Sequence, residues 1–290
     1  MRRHNFCMVV IACLLLLWSV RSYSTDVSFE EIKIPTVEKG LFGAKPVMLS
    51  VKVFRPKEDG RYPLVLIIHG RPCDSYDART FTALYKKQSA FFVSMGFIVA
   101  NPLRRGYGSS DGVIADSSGR CASPSYYDAA IENIKDIKEV IEYMKQQSYV
   151  DPGRIILAGQ SVGGFSAVAY GSKYPQDLLG VINFAGGDGS IKPGEVCRPD
   201  ILIDTFSDFG KNATVPNLWI YAEDDSYFGP DLVRKMHKAD TDAGGKAKLI
   251  FGPPGKGYDH KFFYRGIEVW KLWLIPFLDE PKLMPADKKI

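Results

Sequence analysis

The stretch Leu157-Ala158-Gly159-Gln160-Ser161-Val162-Gly163-Gly164-Phe165 organises the chain. An apolar, strand-like run stops at a glycine, a helix-like run follows, and the pattern G-x-S-x-G lies between them. At so sharp a turn the serine is held in a strained backbone conformation with its hydroxyl exposed, and the small neighbouring residues prevent clashes. The pattern predicts that Ser161 is a nucleophile. The alternative, a glycine-rich turn that contains a serine by chance, is decided by the rest of the chain.

Two kinds of apolar pattern alternate along the chain and predict a sheet flanked by helices. Alternating apolar and polar residues over 27–34 and 47–54 predict an antiparallel hairpin at the edge of the sheet. Continuous apolar runs, typical of strands covered on both faces, predict strands at 64–68, 97–100, 155–157 and 181–184, and the stretches 218–221 and 247–251 complete the predicted strands. Helical periodicity falls between these runs, at 81–95, 126–147, 161–173, 199–209, 230–240 and 262–278.

The order of these elements predicts one α/β domain over 25–290, with an open, eight-stranded, mostly parallel sheet and helices on both faces. In such sheets, ligands bind beyond the carboxyl ends of the strands. The region 187–216 supplies only one loop and one helix, so we expect a minimal lid. The longest helix carries an apolar stripe that we interpret as a core face and not as a cofactor site: Ile131, Ile134, Ile137, Ile141 and Met144.

A serine hydroxyl needs a general base, and the base needs a carboxylate that fixes its tautomer. Among the histidines, His260 follows the last predicted strand and precedes the last predicted helix, which places it above the same sheet edge as Ser161. His69 ends a strand, and His237 lies in a lysine-rich helix that indicates solvent exposure. We therefore expect His260 to be the base. A structural histidine beside Asp259 is the alternative.

The carboxylate is expected at the end of the preceding strand, where Glu223, Asp224 and Asp225 follow one another. Asp225 lies deepest in the loop and nearest to His260 along the chain, so we expect it to be the acid. Asp224 is the alternative, because either carboxylate at a strand end can point away or cap a turn.

An acyl-transfer intermediate also needs two backbone N–H donors for its oxyanion. The expected donors are the amides of Val162, directly after the nucleophile, and Arg71, in the loop after the third strand. Pro72 carries no N–H group and cannot replace Arg71. Arg104 and Arg105 precede a glycine-rich loop and are interpreted as structural, with a subsite for an anionic substrate group as the alternative.

The amino-terminal residues have the layout of a secretory signal peptide, expected to occupy 1–24. Arg2 and Arg3 precede an apolar run over 6–20, which small polar residues follow. An uncleaved anchor and lipidation at Cys13 are the alternatives. The formal net charge is +4, and three of these charges would leave with the peptide, so no nucleic-acid partner is expected. We expect a secreted or periplasmic protein without stable membrane association.

The chain contains five cysteines, of which Cys7 and Cys13 belong to the predicted signal peptide. Outside the cytoplasm, disulfides persist. Cys121 and Cys197 each lie in a polar loop after a predicted strand, on the side where strand ends gather. We therefore expect these two to pair and Cys73 to be free, and three separate thiols are the alternative.

Three stretches, 105–112, 159–164 and 221–228, occur in a characteristic order and spacing. Together with the order of serine, aspartate and histidine, they resemble the α/β-hydrolase superfamily across nearly all of the mature chain. The likeness is to dienelactone-hydrolase-like esterases and to the catalytic domain of prolyl-oligopeptidase-type peptidases. Dienelactone hydrolases carry a cysteine where this chain has Ser161, so the resemblance implies the fold and the triad but not the substrate.

These observations predict a secreted serine hydrolase that cleaves carboxylic esters, with short acyl groups preferred because the lid is minimal. The nearest alternative is a small serine peptidase or amidase of the prolyl-oligopeptidase type, since the same triad serves both reactions. A non-catalytic binding protein with a hydrolase fold is the third hypothesis. No metal or organic cofactor is expected, and the expected partner is a small-molecule ester.

Overall fold

The computed structural model describes residues 27–40, 43–72, 78–82 and 84–279. The predicted signal peptide and Cys73 lie outside these residues. Among the helices in the described ranges, none is long and apolar enough to cross a membrane.

An eight-stranded sheet with helices on both faces forms the body of the protein. The strands within the described ranges are, in chain order, β1 (Phe29–Gly40), β2 (Gly43–Phe54), β3 (Tyr62–Ile68), β4 (Ile98–Pro102), β5 (Gly119–Arg120), β6 (Ser123–Pro124), β7 (Val150–Gln160), β8 (Gly180–Phe184), β9 (Ser190–Lys192), β10 (Glu195–Val196), β11 (Asn217–Ala222) and β12 (Ala247–Gly252). The α-helices of the same ranges are α1 (Lys86–Ser94), α2 (Tyr126–Lys145), α3 (Val162–Lys173), α4 (Pro199–Gly210), α5 (Pro230–Asp242), α6 (Phe262–Arg265) and α7 (Ile267–Leu278).

The sheet has the order β1-β2-β4-β3-β7-β8-β11-β12. β1 and β2 are antiparallel to each other, β2 is antiparallel to β4, and the remaining neighbours are parallel. This confirms the predicted open, mostly parallel sheet. Two short antiparallel ribbons, β5-β6 and β9-β10, are separate from it and were not predicted.

The edge hairpin is longer than the sequence predicts. β1 and β2 pair along their full lengths, up to Gly40 opposite Gly43, although the apolar alternation stops well before that point. Polar cross-strand pairs continue the ladder, since the Glu38 carboxylate lies 2.8 Å from the Lys45 ammonium group. Backbone pairing therefore extends the strands where no hydrophobic period marks them.

Apolar residues on both faces of the parallel strands explain why helices cover both sides of the sheet. One core cluster joins α2, α3, α4 and α5 to the sheet and includes Phe165 and Phe206. The other joins α1, α6 and α7 to the opposite face and includes Phe91 and Trp270. The predicted apolar stripe of α2 lies in the first cluster, which confirms that this face is core.

Two helices depart most from their predicted bounds. The last predicted helix is divided into α6 and α7 at Gly266, where a side chain would lie 2.2 Å from the Phe262 ring. The helix predicted to begin at Phe81 begins at Lys86 instead, and the Phe81 ring packs 4.9 Å from the His69 ring, between centroids. The first break lies at a position that admits no Cβ, and the second difference accompanies a tertiary contact of Phe81, which periodicity does not encode.

Candidate active site

Ser161 lies at the turn between the end of β7 and the start of α3. Its φ of 57° and ψ of −125° are the strained, left-handed conformation expected for this turn. A Cβ at Gly159 would lie 2.1 Å from Gly163 O, and a Cβ at Gly163 would lie 2.2 Å from Ile68 O. Both glycines are therefore required, because a side chain at Gly159 would clash with the first turn of α3 and one at Gly163 would clash with β3.

Backbone hydrogen bonds fix this turn from three sides. Ser161 N donates to Phe184 O at 2.9 Å, which ties the turn to the end of β8. Ser161 O accepts from Phe165 N at 3.0 Å and from Gly187 N at 3.3 Å. The serine backbone is thus held by β8, by the first turn of α3 and by the loop after β8.

His260 lies in a short 3₁₀ turn after β12, and its ring faces the carboxylate of Asp225. His260 Nδ1 is 3.0 Å from Asp225 Oδ2 and 3.2 Å from Oδ1. The histidine side chain is 14% exposed, whereas that of Asp225 is fully buried. The Tyr227 ring packs against the imidazole, with 4.8 Å between centroids, and the Phe228 ring lies at 5.7 Å. The buried carboxylate therefore sets the orientation of a partly exposed imidazole.

The loop after β11 shows why Asp225, and not Asp224, faces the histidine. Asp225 Oδ1 accepts hydrogen bonds from Tyr227 N and Phe228 N, each at 2.9 Å, which hold the carboxylate inside its own turn. Asp224 Oδ2 accepts from Gly255 N at 2.7 Å and fastens the loop after β12. The two adjacent carboxylates thus have different partners, and only the second one meets the imidazole.

Asp259 joins the loops that carry the acid and the base. Its Oδ1 accepts a hydrogen bond from Ser226 N at 2.6 Å, directly beside Asp225. Burial raises the pKa of Asp259, but the hydrogen bonds from Ser226 lower it by more. The pKa therefore lies below its ordinary value. An ionised carboxylate therefore links the His260 turn to the Asp225 turn.

The other two described histidines serve as packing groups. Burial lowers the pKa of His69 to about 3. Its Nδ1 lies 2.7 Å from Gly70 O, and its Nε2 accepts from Arg104 N at 3.1 Å, so both nitrogens are occupied. The expectation that His237 is solvent-exposed is wrong: its ring lies 5.6 Å from the Trp219 ring and its Nε2 is 2.9 Å from a backbone oxygen of β12.

Ser161 and His260 line the same cavity, which has a volume of about 80 Å³. The sequence-predicted amide donors, Val162 and Arg71, belong to residues that line it as well. Gly70 lets the Arg71 segment come close, since a Cβ at Gly70 would lie 2.9 Å from Ser161 Cβ. The structure therefore brings the sequence-predicted serine, histidine and both amide-bearing residues around one space.

Arg104 and Arg105 are buried ion-pair partners, in agreement with the structural interpretation. Arg104 Nη1 lies 2.9 Å from Asp116 Oδ2, and Arg105 Nε lies 2.7 Å from Asp136 Oδ1. Their side chains are only 3% and 4% exposed. Burial raises the pKa of Asp116, but the arginine charges lower it more, so Asp116 is an ionised partner. Neither arginine offers its charge to a ligand.

No sequence pattern marks the buried carboxylates around Arg71. Arg71 Nη1 lies 3.2 Å from Asp188 Oδ1, and Arg71 Nη2 donates to Asp116 O at 2.5 Å. Asp188 follows β8 and therefore reaches the same sheet edge as Ser161, which is the only signal its position gave. Burial raises the pKa of Asp188 even though the Arg71 charge opposes this.

A disulfide links the two ribbons at the rim of the site. Cys121, in the turn between β5 and β6, is bonded to Cys197, which follows β10, with 4.9 Å between their Cα atoms. This is the pairing expected from the sequence. The Tyr126 hydroxyl donates a hydrogen bond to Cys197 O, so α2 also supports the rim. The loop and helix expected over 187–216 thus include a bridged ribbon.

Comparison with known proteins gives the family. The model of the X-Pro dipeptidyl-peptidase (S15) family matches residues 43–191, about half of the chain. The chain belongs to the S15 family. As an S15 member it is a serine hydrolase of the α/β-hydrolase superfamily, which confirms the resemblance seen in the sequence.

Relatives of this S15 member include both peptidases and esterases. The acylamino-acid-releasing enzyme of Sus scrofa is 28% identical over 171 residues, which are 57% of this chain and 21% of that enzyme. A Pyrococcus horikoshii acylaminoacyl peptidase structure matches 89% of this chain and 42% of its own, at 17% identity and TM-score 0.64. A Pyrococcus furiosus esterase matches 88% and 90%, at 16% identity and TM-score 0.61. The chain spans about a fifth of the length of the pig enzyme. The two Pyrococcus structures have the same fold as this chain.

Proposed function

We propose that the protein hydrolyses carboxylic esters through an acyl-enzyme, with Ser161 as nucleophile, His260 as general base and Asp225 as the orienting carboxylate. The observation that carries this proposal is the 3.0 Å pair of His260 Nδ1 and Asp225 Oδ2, beside a cavity that Ser161 also lines. A carboxylate on Nδ1 keeps the proton there and leaves Nε2 as the acceptor, as a serine nucleophile requires.

In the acylation step, His260 Nε2 takes the hydroxyl proton while Ser161 Oγ forms a bond to the ester carbonyl carbon. The N–H groups of Val162 and Arg71 stabilise the negative charge on the carbonyl oxygen. Val162 is the first residue of α3, so its amide lacks a partner within the helix and the helix dipole favours an anion there. The imidazolium then gives its proton to the leaving alkoxide, and the acyl group stays on Ser161.

In the deacylation step, one water molecule takes the place of the alcohol. His260 Nε2 accepts a proton from this water as its oxygen attacks the acyl carbon, and the same two amides stabilise the second oxyanion. The Ser161–acyl bond breaks, and the proton returns to Oγ. Buried Asp225 stabilises the imidazolium in both steps, and each turnover converts one ester and one water into an acid and an alcohol.

The size of the cavity supports a preference for short acyl groups. Its volume of about 80 Å³ is well below the several hundred Å³ of typical drug-sized ligand pockets. The Pyrococcus furiosus esterase, which this chain matches over most of its length, supports an ester substrate. A panel of 4-nitrophenyl esters from acetate to decanoate tests the preference, and a maximum beyond hexanoate would contradict it.

Peptidase or amidase activity is the second candidate. The family takes its description from an X-Pro dipeptidyl-peptidase, and the pig relative releases acylamino acids by name. The two candidates are separated by comparing 4-nitrophenyl butyrate with an aminoacyl-proline 4-nitroanilide. A higher kcat/KM for the ester is expected, and a higher value for the anilide would reverse the order of the candidates.

Covalent labelling tests the nucleophile directly. A fluorophosphonate probe is expected to label the protein once, at Ser161, because only an activated serine reacts with it. Ser161→Ala should abolish labelling. Ser172→Ala, in the same helix, is the matched control and should label like the unchanged protein. Labelling that survives in Ser161→Ala would place the nucleophile elsewhere.

We also propose that the protein acts outside the cytoplasm, after removal of residues 1–24. The Cys121–Cys197 disulfide supports this location, because such bonds persist in oxidising compartments. Amino-terminal sequencing of the protein recovered from a secreting host should start near residue 25. A product that begins at Met1 would contradict the proposal.

A further inference from the structure

Arg71 borders two cavities at once. It lines the cavity of Ser161 and His260, and it also lines a neighbouring cavity of about 260 Å³ that the disulfide cysteines border. Gly189, Ser190 and Ile191 border both cavities as well, so the two are adjacent. The second cavity is therefore the nearest space beyond Arg71 for a group attached to a substrate at Ser161.

The guanidinium of Arg71 is held in a fixed orientation. Nη1 lies 3.2 Å from Asp188 Oδ1, and Nη2 donates to Asp116 O at 2.5 Å. Nε lies 3.7 Å from Asp116 Oδ2. A guanidinium fixed on these sides loses little conformational freedom when a ligand binds, which favours recognition of a planar anion.

The charges around Arg71 are not equally accessible. The carboxylate of Asp116 is buried and is occupied by Arg104 Nη1 at 2.9 Å and the Tyr107 hydroxyl at 2.8 Å. The Asp188 side chain is fully buried. In contrast, the Arg71 side chain is 37% exposed. Among the described residues that line the second cavity, Arg71 thus offers the accessible charge.

We propose that the second cavity is a subsite for a substrate carboxylate, which forms a bidentate pair with the Arg71 guanidinium. The favoured substrates are then esters whose acyl chain ends in a carboxylate a few atoms beyond the scissile carbonyl. This rests on the proposed role of Ser161. The Arg71 backbone amide is also the proposed oxyanion donor, and the residue lines both cavities, so a carboxylate held by its side chain would lie near the scissile carbonyl. The fork of an arginine matches a carboxylate in geometry as well as charge.

A matched substrate pair tests this subsite. 4-Nitrophenyl succinate and 4-nitrophenyl butyrate have acyl chains of the same length, and the first ends in a carboxylate where the second ends in a methyl group. We expect the ratio of their kcat/KM values to favour succinate. Arg71→Met should lower this ratio by about 10- to 100-fold, the discrimination that charge-assisted hydrogen bonds supply.

Two further variants separate geometry from charge. Arg71→Lys keeps the charge but loses the fork, so the ratio should fall to a value between those of the unchanged protein and Arg71→Met. Arg120→Met removes an exposed arginine of β5 and should leave the ratio unchanged. A ratio in Arg71→Met equal to that of the unchanged protein would overturn the subsite.

Binding without turnover separates this inference from the proposed chemistry. In Ser161→Ala, isothermal titration should show tighter binding of monomethyl succinate than of methyl butyrate, by about 10-fold or more. Adding Arg71→Met should remove the difference. Equal affinities in Ser161→Ala would overturn the subsite even if the esters are hydrolysed. A preference that Arg71 controls would support it even if no ester is turned over.

Discussion

Two regions at the carboxyl edge of the sheet, the turn that carries Ser161 and the rim made of the two ribbons, are held by different interactions. Backbone groups fix the turn: Ser161 N donates to Phe184 O at 2.9 Å, and Ser161 O accepts from Phe165 N at 3.0 Å. Side chains fix the rim, where Cys121 is bonded to Cys197. Changes at the turn should therefore affect the chemistry, and changes at the rim should affect binding and stability.

Removal of the proposed base should have the largest effect. His260→Ala leaves Ser161 without a proton acceptor, so kcat for 4-nitrophenyl butyrate should fall by about 10⁵-fold, within the range seen when a triad histidine is lost. Steady-state kinetics at saturating ester measure this. The matched control is His237→Ala, whose ring packs on Trp219 in the outer layer. Equal losses in the two variants would move the base assignment away from His260.

The adjacent carboxylates of the β11 loop give the next largest contrast. Asp225→Asn should lower kcat by about 10⁴-fold, because an amide beside Nδ1 lets the imidazole adopt the wrong tautomer. Asp224→Asn is the neighbouring control and should leave kcat nearly unchanged, since Asp224 bonds Gly255 N instead. If both variants lost activity to the same degree, the loop as a whole and not one carboxylate would be responsible.

The meeting of Ser161, His260 and Asp225 at one edge could be predicted because each residue follows a recognisable strand. Parallel strands end at the same edge, so loops distant along the chain come together there. The choice between Asp224 and Asp225 rested only on loop position, and the deciding fact is which carboxylate receives the amides of Tyr227 and Phe228. Those hydrogen bonds depend on loop conformation, which periodicity does not contain.

The rim could not be predicted in the same way. Its strands, such as β5 and β10, are only two residues long and show no hydrophobic period. The pairing of Arg71 with Asp188 joins residues far apart in sequence and leaves no local pattern. The disulfide could be predicted because the chain has few cysteines, so the number of possible pairings is small.

Loss of the disulfide should weaken the rim without stopping the reaction. Cys121→Ala with Cys197→Ala removes a bridge between residues 76 apart, which should lower the free energy of unfolding by about 2–4 kcal/mol, measured by urea denaturation. The kcat for 4-nitrophenyl butyrate should change little, since the Ser161 turn does not depend on the bridge. The control is Cys73→Ala, with no loss of stability expected. A fall in kcat as large as that of Asp225→Asn would show that the rim and the turn are one unit.

The smallest predicted effect lies at the tip of the rim. Ile191 lines the cavity and is 51% exposed, so Ile191→Ser should raise KM for 4-nitrophenyl butyrate by only about 3- to 5-fold, because a half-exposed apolar side chain contributes part of its burial free energy. The kcat should stay the same, since no reacting atom loses a partner. Val113→Ser, at another exposed apolar residue, should change neither constant. A fall in kcat with unchanged KM in Ile191→Ser would mean that the rim acts in the transition state, and the distinction between turn and rim would fail.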